Sequence, residues 1–382
     1  MTRVQLGEIC ERLSSGKSIK AVEVQDLGPY PVIGGNGLRG YAERYNFDGE
    51  CAVIGRQGAA CGNVRFHSGK AYMTEHAVVA VANESSDSHY LAYLLSTMNL
   101  GRLSAQSAQP GLSVKTLSKQ EIYLPPLEKQ KQVVEVLGRI DAKIEANAKL
   151  NGYLGEYIDA TLRNILNQQE GAEVSLGDYL YIKGRIGWKG LKKSEYLSDS
   201  DYRIINGESL TMSGIDWNKA GYISKERYDE SPEIMLEVGD ILLSKDGTIG
   251  KIGYVDELER PTTVASGIFV IRNLRKDVLS THFVYYLLKS RLFKAFIASR
   301  TEGSVIPHLY QKDFVEFLFP LPPIDVMKKF DKLTGPMFQQ TIVNAHENKR
   351  LAELRDALLP KLMSGEIDVS KIDLTQLNSH LA

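Results

Sequence analysis

LPPLEKQKQVVEVLGRIDAKIEANAKLNGYLGEYIDATLRNIL, running from Leu124 to Leu166, decides how this chain is read, because a related stretch occurs a second time. The second copy, LPPIDVMKKFDKLTGPMFQQTIVNAHENKRLAELRDALLPKLM, runs from Leu321 to Met363. Alternate steps of four and three from Val133 select Val133, Leu137, Ile140, Ile144, Asn147, Asn151, Leu154, Ile158, Thr161 and Ile165. That is a heptad seam, apolar except near its middle. The same steps in the second copy select Phe330, Thr334, Met337, Thr341, Asn344, Asn348, Leu351, Arg355, Leu358 and Leu362, with a weaker N-terminal half. The asparagines fall at matching steps. In an antiparallel pair, Asn147 faces Asn348 and Asn151 faces Asn344, and a slipped register leaves amides unsatisfied. Each copy is therefore read as half of an antiparallel coiled coil; the alternative is two unrelated amphipathic helices, each docked on its own domain. Gly138, Gly152, Gly155 and Gly335 weaken the helices, and Pro336 predicts a break or kink in the second.

A length of 382 residues suggests two or three domains, and 43% hydrophobic content supports real cores. No apolar run approaches membrane-spanning length, and MTRVQLGEIC has no apolar signal core, so a soluble, cytoplasmic protein is expected. Cys10, Cys51 and Cys61 are odd in number and lack paired-ligand spacing, which indicates neither a disulfide framework nor a zinc site. With 46 basic against 47 acidic residues, the chain is unsuited to indiscriminate nucleic-acid binding. Local reading of DNA, with partners supplying phosphate contacts, stays open.

The repeat extends beyond the helices. VQLGEI from Val4 matches VSLGDY from Val174; CAVIGRQGAACGNVRF from Cys51 resembles DILLSKDGTIGKIGYV from Asp240; SHYLAYLL from Ser88 matches THFVYYLL from Thr281. Globule, long helix, globule, long helix is a tandem duplication. Each globule reads as α+β with strands dominant. In the first, 30–33, 52–54, 64–66 and 77–82 are strands and 90–98 a helix; in the second, 203–205, 241–243, 252–255 and 268–271 are strands and 283–298 is helical. The Pro-Pro pairs mark the hand-over to each long helix, where proline is tolerated in the first turn.

No catalytic constellation emerges. There is no GxxxxGK[ST] loop, since Gly247 to Lys251 is too short and lies between strands. His67, His76 and His89 share no metal-binding spacing, and a nucleophile elbow, an Asn-Pro-Pro-Tyr segment and a nuclease signature are all missing. Polar glycine turns remain. GGNGLRGY from Gly34 lets the backbone approach a partner while offering Asn36, Arg39 and Tyr41, or simply makes a tight turn. Arg56 and Gln57 on the next turn carry side chains that pair with guanine and adenine edges. Gln106 to Gln109 form a weaker candidate of this kind. In the second globule, Lys183, Arg185, Lys189, Lys192 and Lys193 surround Trp188 without an acid, which suits phosphate contact and stacking, or a solvated loop with the indole in the core. Lys245 and Asp246 sit on the turn equivalent to that of Arg56 and Gln57; Arg203, Asn206 and His308 are further candidates.

Together these residues resemble the specificity (S) subunit of type I restriction-modification systems, over essentially the whole chain. YPVIGGNGLRGY, IGRQGAACGNV, GRIGWKGL, GDILLSKDGTIGK, SGIFVIR and the closing LLPKLMSGEI carry the resemblance. It implies a non-catalytic DNA-reading subunit with target recognition domains at 1–123 and 171–320, spacer helices at 124–170 and 321–366, and a tail at 367–382. It also implies a bipartite double-stranded DNA target, two methyltransferase subunits docked on the helices, and restriction subunits joining them. S-adenosylmethionine, and ATP with Mg, would belong to those partners, with no cofactor or metal in this chain. On this reading Arg39, Arg56, Gln57 and Lys245 lie near base edges and the Lys183 to Lys193 cations near phosphates. The first copy ends LRNILNQQEG where the second has LLPKLMSGEI, so the docking surfaces need not be equivalent, and Arg355 in the seam would snorkel or meet a partner. A helix of about forty residues is roughly 60 Å long at ~1.5 Å per residue, so readers at its ends would address segments about one to one and a half DNA turns apart. Duplication on an antiparallel pair predicts a pseudo-two-fold arrangement, which suits a two-fold duplex. The reading from a different class is a duplicated scaffold or ligand-binding protein that never touches DNA.

Overall fold

The computed structural model describes residues 1–104, 111–168, 173–186, 190–301 and 308–372. Gln106 to Gln109, Trp188 and Lys189 lie outside these residues. The chain divides into two compact units, Met1–Ala146 with Glu347–Ala382, and Asn147–His346.

In the first unit β1 (Thr2–Gln5), β2 (Cys10–Ser15), β3 (Tyr30–Gly34), β4 (Gly37–Ala42), β5 (Phe47–Gly55), β6 (Val64–Met73) and β7 (Ala77–Ala82) precede α1 (Ser88–Ser96), α2 (Val114–Ser118), β8 (Glu121–Leu124) and the start of α3 (Leu127–Gln168). The main sheet has the order β2-β7-β5-β6-β3-β4, and β1 pairs with β8. Side chains alternate along β5 and β7. Ala52, Ile54, Val78 and Ala80 share a core with α1, whereas Cys51, Val53, Ala77 and Val79 fill a core on the other face. Both faces of these strands are covered, which is why they read as unbroken apolar runs. Asp87 caps α1, its carboxylate accepting from the His89 and Tyr90 backbone N–H groups at 2.9 Å each.

The second unit follows the same plan. After the end of α3 come β9 (Glu173–Ser175), β10 (Leu180–Gly184), β11 (Tyr202–Ile205), β12 (Leu210–Thr211), β13 (Gly214–Ile215), β14 (Gly221–Ile223), α4 (Lys225–Asp229), β15 (Ile241–Ser244), β16 (Ile252–Tyr254), β17 (Thr262–Val264) and β18 (Ile268–Asn273). Next are α5 (Thr281–Lys289), α6 (Arg291–Thr301), α7 (Gln311–Glu316), β19 (Leu318–Pro320) and the start of α8 (Ile324–Ser364). The sheet order β10-β18-β15-β16 repeats β2-β7-β5-β6 strand for strand, and β19 pairs with β9 as β8 pairs with β1. The units diverge beyond that, where the second carries a separate β14-β11-β17 sheet and a β12-β13 hairpin. The helix expected over 283–298 is two helices. Ser290 separates them because its hydroxyl donates to the Leu287 carbonyl at 2.7 Å and accepts from the Phe293 N–H at 3.2 Å.

Each unit contains one half of each long helix, packed antiparallel. In the first, Asn348 Nδ2 donates to the Ile144 carbonyl at 3.1 Å and Arg355 Nη1 meets Asp141 Oδ1 at 2.9 Å. Val133, Val136 and Leu137 share a core with Leu362 and Met363. In the second, Asn344 Nδ2 donates to Asn151 Oδ1 at 2.8 Å, and Asn151 Nδ2 to the Thr341 carbonyl at 2.9 Å. Ile158 and Leu162 pack there with Met327, Phe330 and Phe338. Every position of both seams is buried or half-buried, Asn147 included. Pro336 does not break α8, which runs from Ile324 to Ser364 as one helix. The proline and Lys332, whose carbonyl loses its helical donor, are both exposed, so water can donate to that carbonyl.

Candidate functional site

The turn between β5 and β6 is held from several sides. The Arg56 N–H donates to the His76 carbonyl at 2.9 Å, and the Arg56 carbonyl accepts from the Leu112 N–H at 2.9 Å. Gln57 forms a bridge with Gly111, and Gly58 has φ +71°. The β15–β16 turn repeats this arrangement. The Lys245 N–H donates to the Gly267 carbonyl at 2.9 Å, and its carbonyl accepts from Leu309 at 3.0 Å. Asp246 bridges His308, and Gly247 has φ +64°. At Arg56 and at Lys245 both backbone groups are committed, so each turn is a rigid mount on which only the side chain varies.

The first unit brings further polar groups to this mount. Gly34-Gly35-Asn36-Gly37 closes the β3–β4 hairpin, and Gly35 packs against the turn so closely that an added Cβ would come within 2.8 Å of the His76 carbonyl oxygen, the acceptor of the Arg56 N–H, with Gly55 Cα at 3.4 Å. Asn36 and Arg39 are exposed and Tyr41 is half-buried. Arg39 and Tyr41 lie on strand β4, not in a loop: β4 pairs with β3 from Gly37 to Ala42, interrupted by a bulge at Arg39, and Tyr41 sits opposite Pro31. Arg65, on β6, went unnoticed in the sequence. Its guanidinium lies over Gly37, where an added Cβ would come within 2.0 Å of Nη1. Its only sequence signal was a cation following the glycine turn, and the strand assignment hid it.

The second unit separates its candidates. Lys192 and Lys193 are exposed, and Lys183 is half-buried with Nζ 5.8 Å from the Tyr181 ring. Lys245 is half-buried with Nζ 5.2 Å over Phe269. Arg185 corrects the expectation of a surface phosphate contact. It is 2% exposed, and its guanidinium donates to the Val264 carbonyl at 3.1 Å and to Ser231 and Thr263 hydroxyls at 3.4 Å. Burial, and next the nearby Arg227, hold its pKa below the usual guanidinium range. Arg203 is also engaged internally, donating to the Trp217 carbonyl with its guanidinium 5.5 Å from the Trp217 ring and 5.8 Å from Tyr222. The Asn206 side-chain Oδ1 accepts from the Glu208 and Ser209 N–H groups at 2.9 and 3.1 Å, which closes a turn. His308 pairs with Asp246.

Among the described residues no group of His, Cys, Asp and Glu could hold a metal ion, and no helix is long and apolar enough to cross a membrane. Burial pushes the Cys10 and Cys51 thiols up to about 11 and about 12, as expected of inert core cysteines.

Two globules of one sheet plan, each presenting side chains from a pinned glycine turn and each continuing into a long helix, define a tandem recognition protein. The chain belongs to the type I restriction modification DNA specificity domain family, which matches residues 1–154 and again 170–353. Its two globules are thus two DNA specificity domains in one chain. It is 38% identical over 143 residues to the EcoprrI specificity subunit of Escherichia coli, an alignment spanning 36% of this chain and 35% of that protein. It is 25% identical over 309 residues to the MjaIX specificity subunit of Methanocaldococcus jannaschii, spanning 75% of this chain and 70% of that one. The fold is similar to that of the S subunit of a type I restriction-modification system from M. genitalium, at 19% identity and TM-score 0.62, covering 94% of this chain and 95% of that one.

Proposed function

We propose that this chain is the non-catalytic specificity subunit of a type I restriction-modification complex, each domain reading one half of a bipartite duplex target. The observation that carries this reading is the mount repeated in both domains, with Arg56 and Gln57 on one and Lys245 and Asp246 on the other. Equal backbones with different side chains suit two readers of different sequences. Arg39, Arg56, Gln57 and Lys245 approach base edges, with Asn36, Tyr41 and Arg65 beside the first group. Lys183, Lys192 and Lys193 approach phosphates. Methyltransferase subunits dock on the long helices and supply adenine methylation from S-adenosylmethionine, with base flipping as its first step; restriction subunits use ATP and Mg. The complex works in the cytoplasm.

Single-molecule sequencing of genomic DNA tests the reading in cells carrying the chain with its methyltransferase, against cells lacking only this chain. A bipartite motif, methylated on both strands and lost on deletion, is expected. No difference between the two, with both proteins expressed, overturns it and favours a scaffold that does not bind DNA. Arg56→Ala should cost about 1–3 kcal/mol of discrimination at one half-site. Equal weakening on all sequences would remove Arg56 from base reading.

A further inference from the structure

The two mounts differ in how the residue after the cation is held. Gln57 is exposed, and the residue across its bridge is Gly111, which has no side chain to restrain the amide. Its counterpart Asp246 stands across from His308, whose Nδ1 meets Asp246 Oδ1. The imidazole is itself braced against Tyr310, ring centroids 4.4 Å apart and planes at 62°. Behind the carboxylate lies Gly267, where an added Cβ would stand 3.6 Å from both Asp246 Cβ and Oδ2. The side chain is still 41% exposed, and among the described residues Oδ2 has no hydrogen-bond partner of its own. One oxygen is therefore anchored, and the other is an acceptor at a defined position on the protein surface.

A carboxylate on a DNA-facing surface repels phosphates, and with Oδ1 taken by His308 the exposed Oδ2 is left to meet a donor on the DNA. Base edges offer that donor as the exocyclic amino group. Cytosine N4 is the donor-only case in the major groove, whereas guanine O6 and N7 and thymine O4 are acceptors that a carboxylate rejects. We propose that Asp246 is a specificity-determining acceptor of the second domain, selecting the cytosine amino edge at one position of its half-site, with His308 as its positioning residue. This rests on the specificity-subunit reading and adds the chemistry of one contact to it. Gln57, which both donates and accepts, selects a different edge from the equivalent mount.

The test is the same methylation sequencing, with the whole complex carrying Asp246→Asn, His308→Ala or His308→Gln, together with duplex binding by the purified complexes. Two duplexes differing at the assigned base pair serve as probes. Asp246→Asn keeps the shape but adds a donor, so discrimination at one position of one half-site should fall by about tenfold or more, and the other half-site should be unchanged. His308→Ala should relax the same position, and His308→Gln, which can still donate to Asp246, should restore it. A purely structural pin would show neither the single-position effect nor that rescue. A wild-type motif that persists unchanged in Asp246→Asn, or weakens uniformly, overturns the proposal and leaves the specificity reading intact. Absence of any motif in the wild type overturns both. If Asp246→Asn fails to assemble, the His308→Ala and His308→Gln comparison decides by the same criterion.

Discussion

Where the short helix of each domain meets the long helices, the two units use one geometry with opposite chemistry. In the first unit the Tyr93 hydroxyl donates to Asp141, which also pairs with Arg355 at 2.9 Å. The corresponding positions in the second unit are Tyr286, Phe338 and Ile158, which are 6%, 5% and 0% exposed. A histidine stays at the matching helix position in both, but its stacking partners are exchanged, from a strand and the short helix in the first unit to the long helix in the second. His89 stacks against Phe66 and Tyr93 at 3.8 and 4.7 Å, and His282 against Phe330 and Phe338 at 5.3 and 5.7 Å. Gly138 and Gly335 occupy matching helix positions, where an added Cβ would lie 3.7 Å from His89 Cε1 and 3.8 Å from His282 Cε1. Duplication thus preserves shape, while polarity is rewritten in whole sets. Changing one member alone would strand a half-buried charge, whereas a complete polar set or a complete apolar set is satisfied.

The largest effect should come from the apolar version. Phe338→Ala removes a ring packed among Tyr254, Tyr285, Tyr286 and His282 and should destabilise its unit by about 3–5 kcal/mol in urea unfolding. The polar version should be cheaper to break. Arg355 and Asp141 are 30% and 33% exposed, so Arg355→Ile should cost about 1–2 kcal/mol, between the values of exposed and buried pairs. The double variant Asp141→Phe with Arg355→Ile should recover part of that loss, and strict additivity of the two would break the comparison.

The two histidines should behave alike. Burial holds the pKa of His89 and of His282 below the ordinary value, opposed by Asp87, Asp141 and Glu50 at the first and by Asp331 at the second. The unfolded chain then binds more protons than the folded one, so stability rises with pH. The contribution is fully present above about pH 6.5 and is lost as pH falls below it through the folded-state pKa. His282→Phe, which keeps an aromatic ring, should flatten the slope of stability between about pH 5 and 7; an unchanged slope would show that other groups set it. The smallest effect separates the glycines. Gly138→Ala has ordinary contact distance to its neighbour and should stabilise by about 0.5–1 kcal/mol. Gly335→Ala should gain less, because Pro336 follows it and crowds a Cβ on the preceding residue. Thermal unfolding of the two single variants measures the difference.

Local periodicity was enough to find the long helices, their seams and the duplicated strand runs. A heptad repeat or an apolar run such as Ala77 to Ala82 reports burial directly from spacing. The two asparagine steps were also legible, because antiparallel helices allow few ways to satisfy central amides, and Asn151 and Asn344 do meet. The paired turns of Arg56 and Lys245 could be located by aligning the halves. What pins them could not, because Leu112 and Leu309 return from more than fifty residues away in sequence. The same limit applies to side-chain fate. Arg185 looked like its neighbouring lysines until three internal acceptors withdrew it from the surface. Arg65 was hidden in a strand, Arg39 and Tyr41 joined a hairpin, Asp141 supplied the partner of Arg355, and Ser290 ended a helix that composition alone would have continued. Sequence by itself determined the duplicated plan, since periodicity and internal repetition are local properties. Only the tertiary structure decided which cations stay at the surface and what holds each turn, because those depend on solvent exposure and on partners distant in the chain.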